Sequence, residues 1–482
     1  MSVRNNLLYN IINNIVAVIF PVITIPYISR VLGVENIGII GFATSYSGYF
    51  TLFAGLGISI YGSREIAKLK NDKEKRSKLF SELFFLMLIS SLICTTIYLI
   101  PIFTVSALQQ QKYFLLVSGI TLYLNAFSLD WFFSGRENFK MITIRSVIIK
   151  LLCILLMFVF VKSKNNALLY CGIVALSSVL SNIWNFNYIL KNEIYINFNS
   201  LSLGRHLKPL LILLSTNLAI SIYTTLDTLM LGFLSNFIEV GYYSSAIKVS
   251  RILLPFAVAT TSVMVPKISY AYSTNDKQQY IHYLQKSFSL VSFFACPMAI
   301  GLFIVTPYFV PFFFGTEFLG VIPVLQLNSS ILLFVGLSNY FGIQVLATSG
   351  YESKLLISIL LGAIVNFILN MIFIPRYGAV AAATNSALCE LIIFITTFIM
   401  TLKFTDVRVN WTPLFHSILS SLPMILFYFV LPIKFGTYNL ATLVLTGFFS
   451  YFICQSLVFK NKVAFEIINK FTNLSKQFTK WI

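Results

Sequence analysis

Charge is what this sequence has least of. Asp, Glu, Lys and Arg make up 10% of its 482 residues, against 57% hydrophobic residues; a soluble domain carries about 25% charged residues. That is too little polar surface to face water, so most of the solvent must be lipid. Backbone groups in lipid have to bond within the chain, which leaves helices or closed barrels. The short alternating segments of barrel strands are missing. Cysteines are few: the six, at 94, 153, 171, 296, 389 and 454, form no CxxC and all lie in apolar runs. They read as small apolar groups, not as a disulfide framework or zinc site. Three histidines, His206, His282 and His416, are too scattered for a metal centre. No Walker loop is present, so ATP hydrolysis by this chain is not expected. No nucleophile lies clustered with a histidine base. The expectation is a transporter and not an enzyme, with no cofactor and no metal.

What is present is a succession of apolar runs of about 20 residues, each long enough to cross a bilayer as a helix. The stretch from Phe20 to Lys70 sets the pattern: a membrane helix, a short turn with Arg30 at its edge, a Gly-rich second helix and a basic loop. Fourteen spans fit between residues 7 and 459, the first two at 7–29 and 37–62, the fourth at 113–135 and the last two at 414–433 and 440–459. The first apolar run is too long for a signal peptide and has no small-residue cleavage site. Lysine and arginine set the orientation. With the N-terminus inside, the inner segments hold twenty-four of the thirty-four and the outer segments six, while Lys150, Lys248, Arg251 and Lys286 lie within spans. Both termini are therefore expected in the cytoplasm. The net charge of +18 is then a topology signal and a contact with anionic headgroups. Nucleic acid would need a basic face on a soluble module, which is missing. In the tail, 460–482, Val463, Ile467, Phe471 and Leu474 share a helical face opposite lysines, as in a helix lying on the membrane surface.

An internal repeat organises the spans. Gly38-Ile-Ile-Gly-Phe-Ala43 matches Gly241-Tyr-Tyr-Ser-Ser-Ala246, and Ser134-Gly135-x-Glu137 matches Ser349-Gly350-x-Glu352. Glu82 and Lys286 open equivalent spans. Six spans per repeat is an even number, so both copies run the same way, related by an axis along the membrane normal, with a substrate site between the halves. The expected fold is an all-α polytopic membrane protein. It comprises an N-terminal six-helix bundle, 1–200, a C-terminal six-helix bundle, 201–408, two additional membrane helices, 409–459, and a basic amphipathic tail, 460–482.

Several blocks resemble the bacterial polysaccharide flippases called Wzx, of the multidrug/oligosaccharidyl-lipid/polysaccharide exporter superfamily. The first is Tyr27-Ile-Ser-Arg30-Val-Leu-Gly33-x-Glu35-x-x-Gly38, continuing to Tyr61-Gly62-x-Arg64-Glu65-Ile-Ala67. The second runs from Asp130-Trp131-Phe132-Phe133 to Phe139-Lys140. The third joins Asp227-Thr228-Leu229-Met230-Leu231-Gly232 to Val240-Gly241-Tyr242-Tyr243 and Ala246-x-Lys248. The fourth is Ile374-Pro375-x-Tyr377-Gly378-Ala379. They fall in order over nearly the whole chain. The resemblance implies two six-helix bundles forming a V. It also implies the movement of undecaprenyl-pyrophosphate-linked sugar repeat units from the inner to the outer leaflet of the bacterial plasma membrane, for capsule, O-antigen or exopolysaccharide. The lipid II flippase MurJ is a more distant relative. Its eighth helix carries an arginine shortly before a proline, like Arg251-Ile-Leu-Leu-Pro255, and Arg30 sits in a Ser-Arg-Val-Leu-Gly context similar to that of a cavity arginine in its first helix.

An anionic headgroup in hydrocarbon needs cations and donors in place of water. Lys248 and Arg251 share one helical face. Arg251 lies roughly 15 Å along its span, where an arginine costs about 2.5–3.5 kcal/mol even on an insertion scale. Arg30, at the outer rim of the first span, either joins that cavity or snorkels to headgroups. Arg64 marks an inner boundary or contacts substrate. Asp130 and Lys150 lie at comparable depth, as a structural pair or as substrate contacts. Asp227 and Glu390 are embedded acids, candidates for coupling to H+ or Na+ or for structural pairing. Pro21, Pro26 and Pro255 interrupt long spans and are candidate hinges. Asn217, Asn366 and Asn370 contact sugars or bridge helices. The expected cargo is undecaprenyl-pyrophosphate-linked oligosaccharide, carried by a monomer among membrane lipids, with polysaccharide polymerase and chain-length machinery as further partners. One rival is a cation-coupled drug exporter of the same fold. Another is a membrane polymerase or glycosyltransferase, which would need outer loops longer than the dozen or so residues found here.

Overall fold

A computed structural model of the chain describes residues 3–69, 72–196, 201–430, 437–461 and 463–466. Among the described residues the regular structure is helical, with no strand. In chain order the helices are α1 (Val3–Gly55), α2 (Ile58–Lys68), α3 (Lys73–Thr104), α4 (Ser106–Gln109), α5 (Lys112–Ser118), α6 (Ile120–Tyr123), α7 (Asp130–Gly135) and α8 (Phe139–Phe160). They continue with α9 (Ala167–Asn192), α10 (Gly204–Leu234), α11 (Phe237–Ser273), α12 (Lys277–Phe313), α13 (Val321–Asn339), α14 (Glu352–Phe404), α15 (Thr412–Val430) and α16 (Thr437–Ile453).

Among the described residues nine helices are long and apolar enough to cross a membrane, or ten if one bent pair counts as a span. The expected fourteen are not reproduced by that measure, and two causes are visible. First, α1 and α14 each run over two expected spans with one kink between. The kinks fall at Gly33 (φ 77°, ψ 170°) and Gly378 (φ 53°, ψ −131°), backbone angles that a Cβ would strongly disfavour. Pro21 and Pro26 lie inside α1, yet its abrupt change of backbone angles comes at Gly33. Pro255 likewise lies inside α11. Second, the fourth span is not one helix. It breaks into α5, α6, a 3₁₀ turn at Asn125–Phe127 and α7, and its two halves bend by 40°. Asn125, Ser128 and Asp130 crowd that break, and such side chains compete for backbone hydrogen bonds.

The chain divides into two compact units, Met1–Ser244 and Ser245–Ile482. The division falls inside α11, so unit 1 holds all of α10 besides the residues 1–200 expected of the first bundle. The core of unit 1 is aromatic: Phe80 stacks on Trp131 at 5.8 Å and meets Phe132 edge-on at 5.6 Å. Among the described residues of unit 2, buried side chains gather in clusters, two of which bear on the site and the tail. In one, Phe288 packs edge-on against Trp411 at 5.6 Å beside Tyr340 and Phe341. In the other, Val463 and Ala464 pack with Phe293 and Tyr451, so the start of the tail is docked on unit 2; most of the expected surface helix, 467–482, lies outside the described residues. Outer helix faces stay apolar, with Leu92 68% and Leu151 61% exposed. Such faces suit lipid and would aggregate in water.

Candidate functional site

Four acids of unit 1 each meet a fixed partner. Glu82 on α3 is fully buried. Its carboxylate accepts the backbone N–H of Ser202 (2.9 Å), pairs with Arg205 and lies 3.0 Å from His206 Nε2. His206 Nδ1 in turn lies 2.7 Å from the Tyr61 hydroxyl. Asp130, opening α7, takes a two-pronged pair from Arg145 (Nη1 to Oδ1 2.6 Å, Nη2 to Oδ2 3.1 Å) and an amide bond from Asn185 (2.7 Å). Arg145 is only 4% exposed. Glu193, just past α9, joins Arg136 (3.2 Å) and Arg76 (3.5 Å), and Arg76 also donates to its backbone carbonyl (3.1 Å). Asp227 on α10 is buried and accepts from the Tyr243 hydroxyl. A charge taken out of water costs several kcal/mol unless it is paired and bonded. These contacts tie α2, α3, α7, α8, α9 and α10 at chosen points.

Unit 2 holds its buried polarity mainly in neutral groups. Asn370 Nδ2 donates to Asn366 Oδ1 (3.1 Å), and Asn385 Nδ2 donates to Asn370 Oδ1 (2.9 Å), an amide chain that spans the Gly378 kink. Gln344 sits in a π-helical segment, Tyr340–Ala347. It accepts from Ser287 and donates to Thr261 (3.1 Å). The embedded ionisable groups are Lys248, Arg251 and Glu390. Lys248 is half-buried on α11, Arg251 is exposed one turn later, and Glu390 on α14 is buried. Neither Lys248 nor Glu390 has an ion-pair or hydrogen-bond partner among the described residues. Two cations on one face suit an anion, and a buried carboxyl suits a proton or a monovalent cation.

The model of the family described as "Polysaccharide biosynthesis protein" matches residues 3–272, more than half of the chain. The chain belongs to this polysaccharide biosynthesis family. It is 28% identical over 373 residues to the Escherichia coli (strain K12) protein named "Putative O-antigen transporter", covering 74% of this chain and 87% of that one. The fold is that of the lipid II flippase MurJ in its inward closed conformation, with a TM-score of 0.79 at 16% identity over 95% of this chain and 100% of that one. A multidrug transporter of the superfamily, inward-facing, follows at 0.54 and 15%, covering 81% of this chain and 100% of that one. The chain is thus a multi-pass helical membrane protein of the polysaccharide branch that its motif blocks resemble.

Within this family member the expected site residues separate. In unit 1, Arg30 is exposed three residues before the Gly33 kink. Lys150 is half-buried on α8 with no ion-pair or hydrogen-bond partner among the described residues. It is not the partner of Asp130. That partner is Arg145, which the lysine and arginine distribution assigns to an inner loop; the span begins earlier and buries it. Arg64 lies on the surface, 3.2 Å from Glu65 and over the Tyr61 ring. In unit 2, Lys286 is bound to Glu466 of the tail at 2.8 Å, a pairing not expected from the sequence. The ion pairs of Glu82, Asp130 and Glu193 were also missed. Their signal is an acid inside or at the end of an apolar run, which obliges a cation from another helix to meet it.

Proposed function

We propose that this protein is a flippase that moves undecaprenyl-pyrophosphate-linked oligosaccharide repeat units from the inner to the outer leaflet of the bacterial plasma membrane. The observation that carries the reading is Lys248. An ammonium on a membrane helix, one turn before Arg251 and without an anionic partner among the described residues, is a costly feature to keep. A pyrophosphate supplies the missing countercharge. Family membership and the polysaccharide-related names of the relatives support the same cargo class. Alternating exposure of the cationic site to the two sides would carry the headgroup, while the polyprenyl chain remains in lipid. Glu390 is the group we propose for coupling to H+ or Na+, because a buried carboxyl lacking a fixed cation can exchange either.

The test is flipping by purified protein in liposomes loaded with lipid-linked oligosaccharide under defined ion gradients. Lys248→Ala and Arg251→Ala are each expected to slow flipping by about tenfold or more, the loss of one charged contact. Wild-type rates in both variants at equal protein level would overturn the reading.

A further inference from the structure

We infer that unit 2 carries a docking site for a sugar residue of the cargo, at the end where α11 leads into α12; the inference rests on the flippase reading. A cavity of about 400 Å³ opens there, within the roughly 300–1,000 Å³ range of small-molecule pockets. Its walls come from the turn between α11 and α12, from the turn at Ser349 and from the end of α14. Four aromatic residues line it: Tyr272, Tyr280, Tyr351 and Phe404. The Tyr272 and Tyr280 rings lie 5.4 Å apart and tilted by 53°. The Tyr280 hydroxyl is 3.0 Å from Ser349 Oγ, and the Tyr272 hydroxyl donates to the Ser349 carbonyl at 3.4 Å. These bonds fix the aromatic wall before any ligand arrives.

Two carboxylates complete the bowl, Asp276 and Asp406. Asp276 commits one oxygen to the backbone N–H of Gln279 (2.9 Å), capping α12. Asp406 is exposed and has no ion-pair or hydrogen-bond partner among the described residues. Aromatic faces stack on the C–H face of a pyranose, and carboxylates accept from its hydroxyls. The two acids outnumber Lys277, the one lining ammonium, so the bowl disfavours a free phosphate, and an apolar ligand would leave the carboxylates stranded. Lys354 stands over the Phe404 ring at 4.5 Å and Lys403 at 5.8 Å, and neither lines the cavity. A glycosyl diphosphate would set its sugar in the bowl and its phosphates against these lysines. On the orientation expected from the lysine and arginine distribution, this end faces the cytoplasm.

The test uses the purified full-length protein and methyl glycosides as probes, followed by saturation-transfer NMR. At least one glycoside is expected to bind, and Asp406→Asn and Tyr272→Ala should each weaken it about tenfold, since each removes a contact of more than 1 kcal/mol size. Both residues are exposed, so the variants should fold. In liposomes, Asp406→Asn should raise the half-saturating concentration of lipid-linked oligosaccharide and leave the maximal rate within about twofold, as loss of ground-state binding does. Glycoside binding that is untouched by both variants overturns the site, as does binding of choline in place of any glycoside. Wild-type protein that flips its cargo but binds no glycoside overturns the site and leaves the flippase reading standing. Protein that binds glycosides here but flips nothing upholds the site and overturns that reading.

Discussion

The two units treat charge in opposite ways. In unit 1 the acids Glu82, Asp130, Glu193 and Asp227 each have a partner fixed by the fold, and three of the four partners are cationic. In unit 2 the buried polar groups are chiefly amides and hydroxyls bonded to one another, while Lys248 and Glu390 keep no such partner among the described residues. Low dielectric makes a paired charge a rigid clamp and an unpaired one a standing cost. The difference teaches where to look for work. Unit 1 uses ionic contacts to hold bent and broken helices in place. On the flippase reading proposed above, Lys248 and Glu390 of unit 2 are the groups that would meet what arrives. Lys150 is the exception in unit 1, and it is the residue there whose role the comparison leaves nearest to unit 2.

The sharpest way to break this comparison is Asp130→Ala. It would leave the buried Arg145 guanidinium with the Asn185 amide alone; because the Asp130 side chain is 54% exposed, the cost should sit at the lower end, about 3 kcal/mol, of that for breaking a buried pair. Thermal unfolding in detergent should show a large drop. Adding Arg145→Leu should restore most of it, because the uncompensated charge is then gone. A small loss for the single variant would mean that unit 1 is not held by its ion pairs.

Next in size is Tyr243→Phe. It removes one hydrogen bond to the buried Asp227 carboxylate, worth about 1.5–3 kcal/mol for a charged acceptor. Unfolding midpoints should fall accordingly, with little change in flipping at temperatures where the variant is folded. A transport defect larger than the stability loss would move Asp227 from the structural set to the functional one. Lys248→Ala in unit 2 should behave in reverse. Its unfolding midpoint should hold or rise, since an unpaired embedded charge is removed, while flipping falls about tenfold. A destabilised Lys248→Ala protein would show that Lys248 holds the fold, and the contrast between the units would fail.

Much of the fold was legible because apolar runs of membrane length have few alternative readings. The breaks at Gly33 and Gly378 were legible as well: each falls in the gap between two expected spans, 7–29 and 37–62 for Gly33, 355–374 and 379–402 for Gly378. The backbone angles add that each gap is a kink at one glycine inside a longer helix. The broken fourth span was not legible, because no glycine or proline marks the break between Tyr123 and Asp130. Of the site, Lys248, Arg251 and Glu390 stood out, because a charge in an apolar run is visible alone. Arg145 did not, because its partner Asp130 lies fifteen positions away on another helix, and pairing across helices is invisible to counting along one. One repeat signal went unread. Asn-Asp-Lys occurs at 71–73 and again at 275–277, and in both copies the aspartate caps the helix that follows.

That repeated cap gives the smallest effect and a comparison within one motif. Asp72 accepts the backbone N–H of Lys75 at 2.9 Å and pairs with the Lys75 ammonium at 3.1 Å. The backbone N–H bond, with the lysine beside it, holds its carboxyl below the usual carboxylate range. A carboxyl lowered in the folded protein stabilises it above the unfolded value, about 3.9 for aspartate, and that stability is lost as pH falls through the lower folded value. Asp72→Ala should therefore lower the unfolding midpoint slightly at neutral pH, and the gap to wild type should close as pH drops below about 4. The ammonium pair is solvated, so salt should narrow the gap as well. A gap that persists unchanged in acid would mean that the aspartate contributes as a neutral cap, through its hydrogen bond alone. The equivalent Asp276→Ala in unit 2 has a different reach. It opens the same kind of helix end but also removes a carboxylate from the wall of the sugar cavity. Its stability loss should be somewhat smaller than that of Asp72→Ala, since Asp276 has the cap bond to Gln279 without a lysine at that position, and the glycoside affinity should fall only for Asp276→Ala. Equal affinities in the two variants would separate the cap from the cavity and leave Asp406 as the carboxylate that meets the sugar.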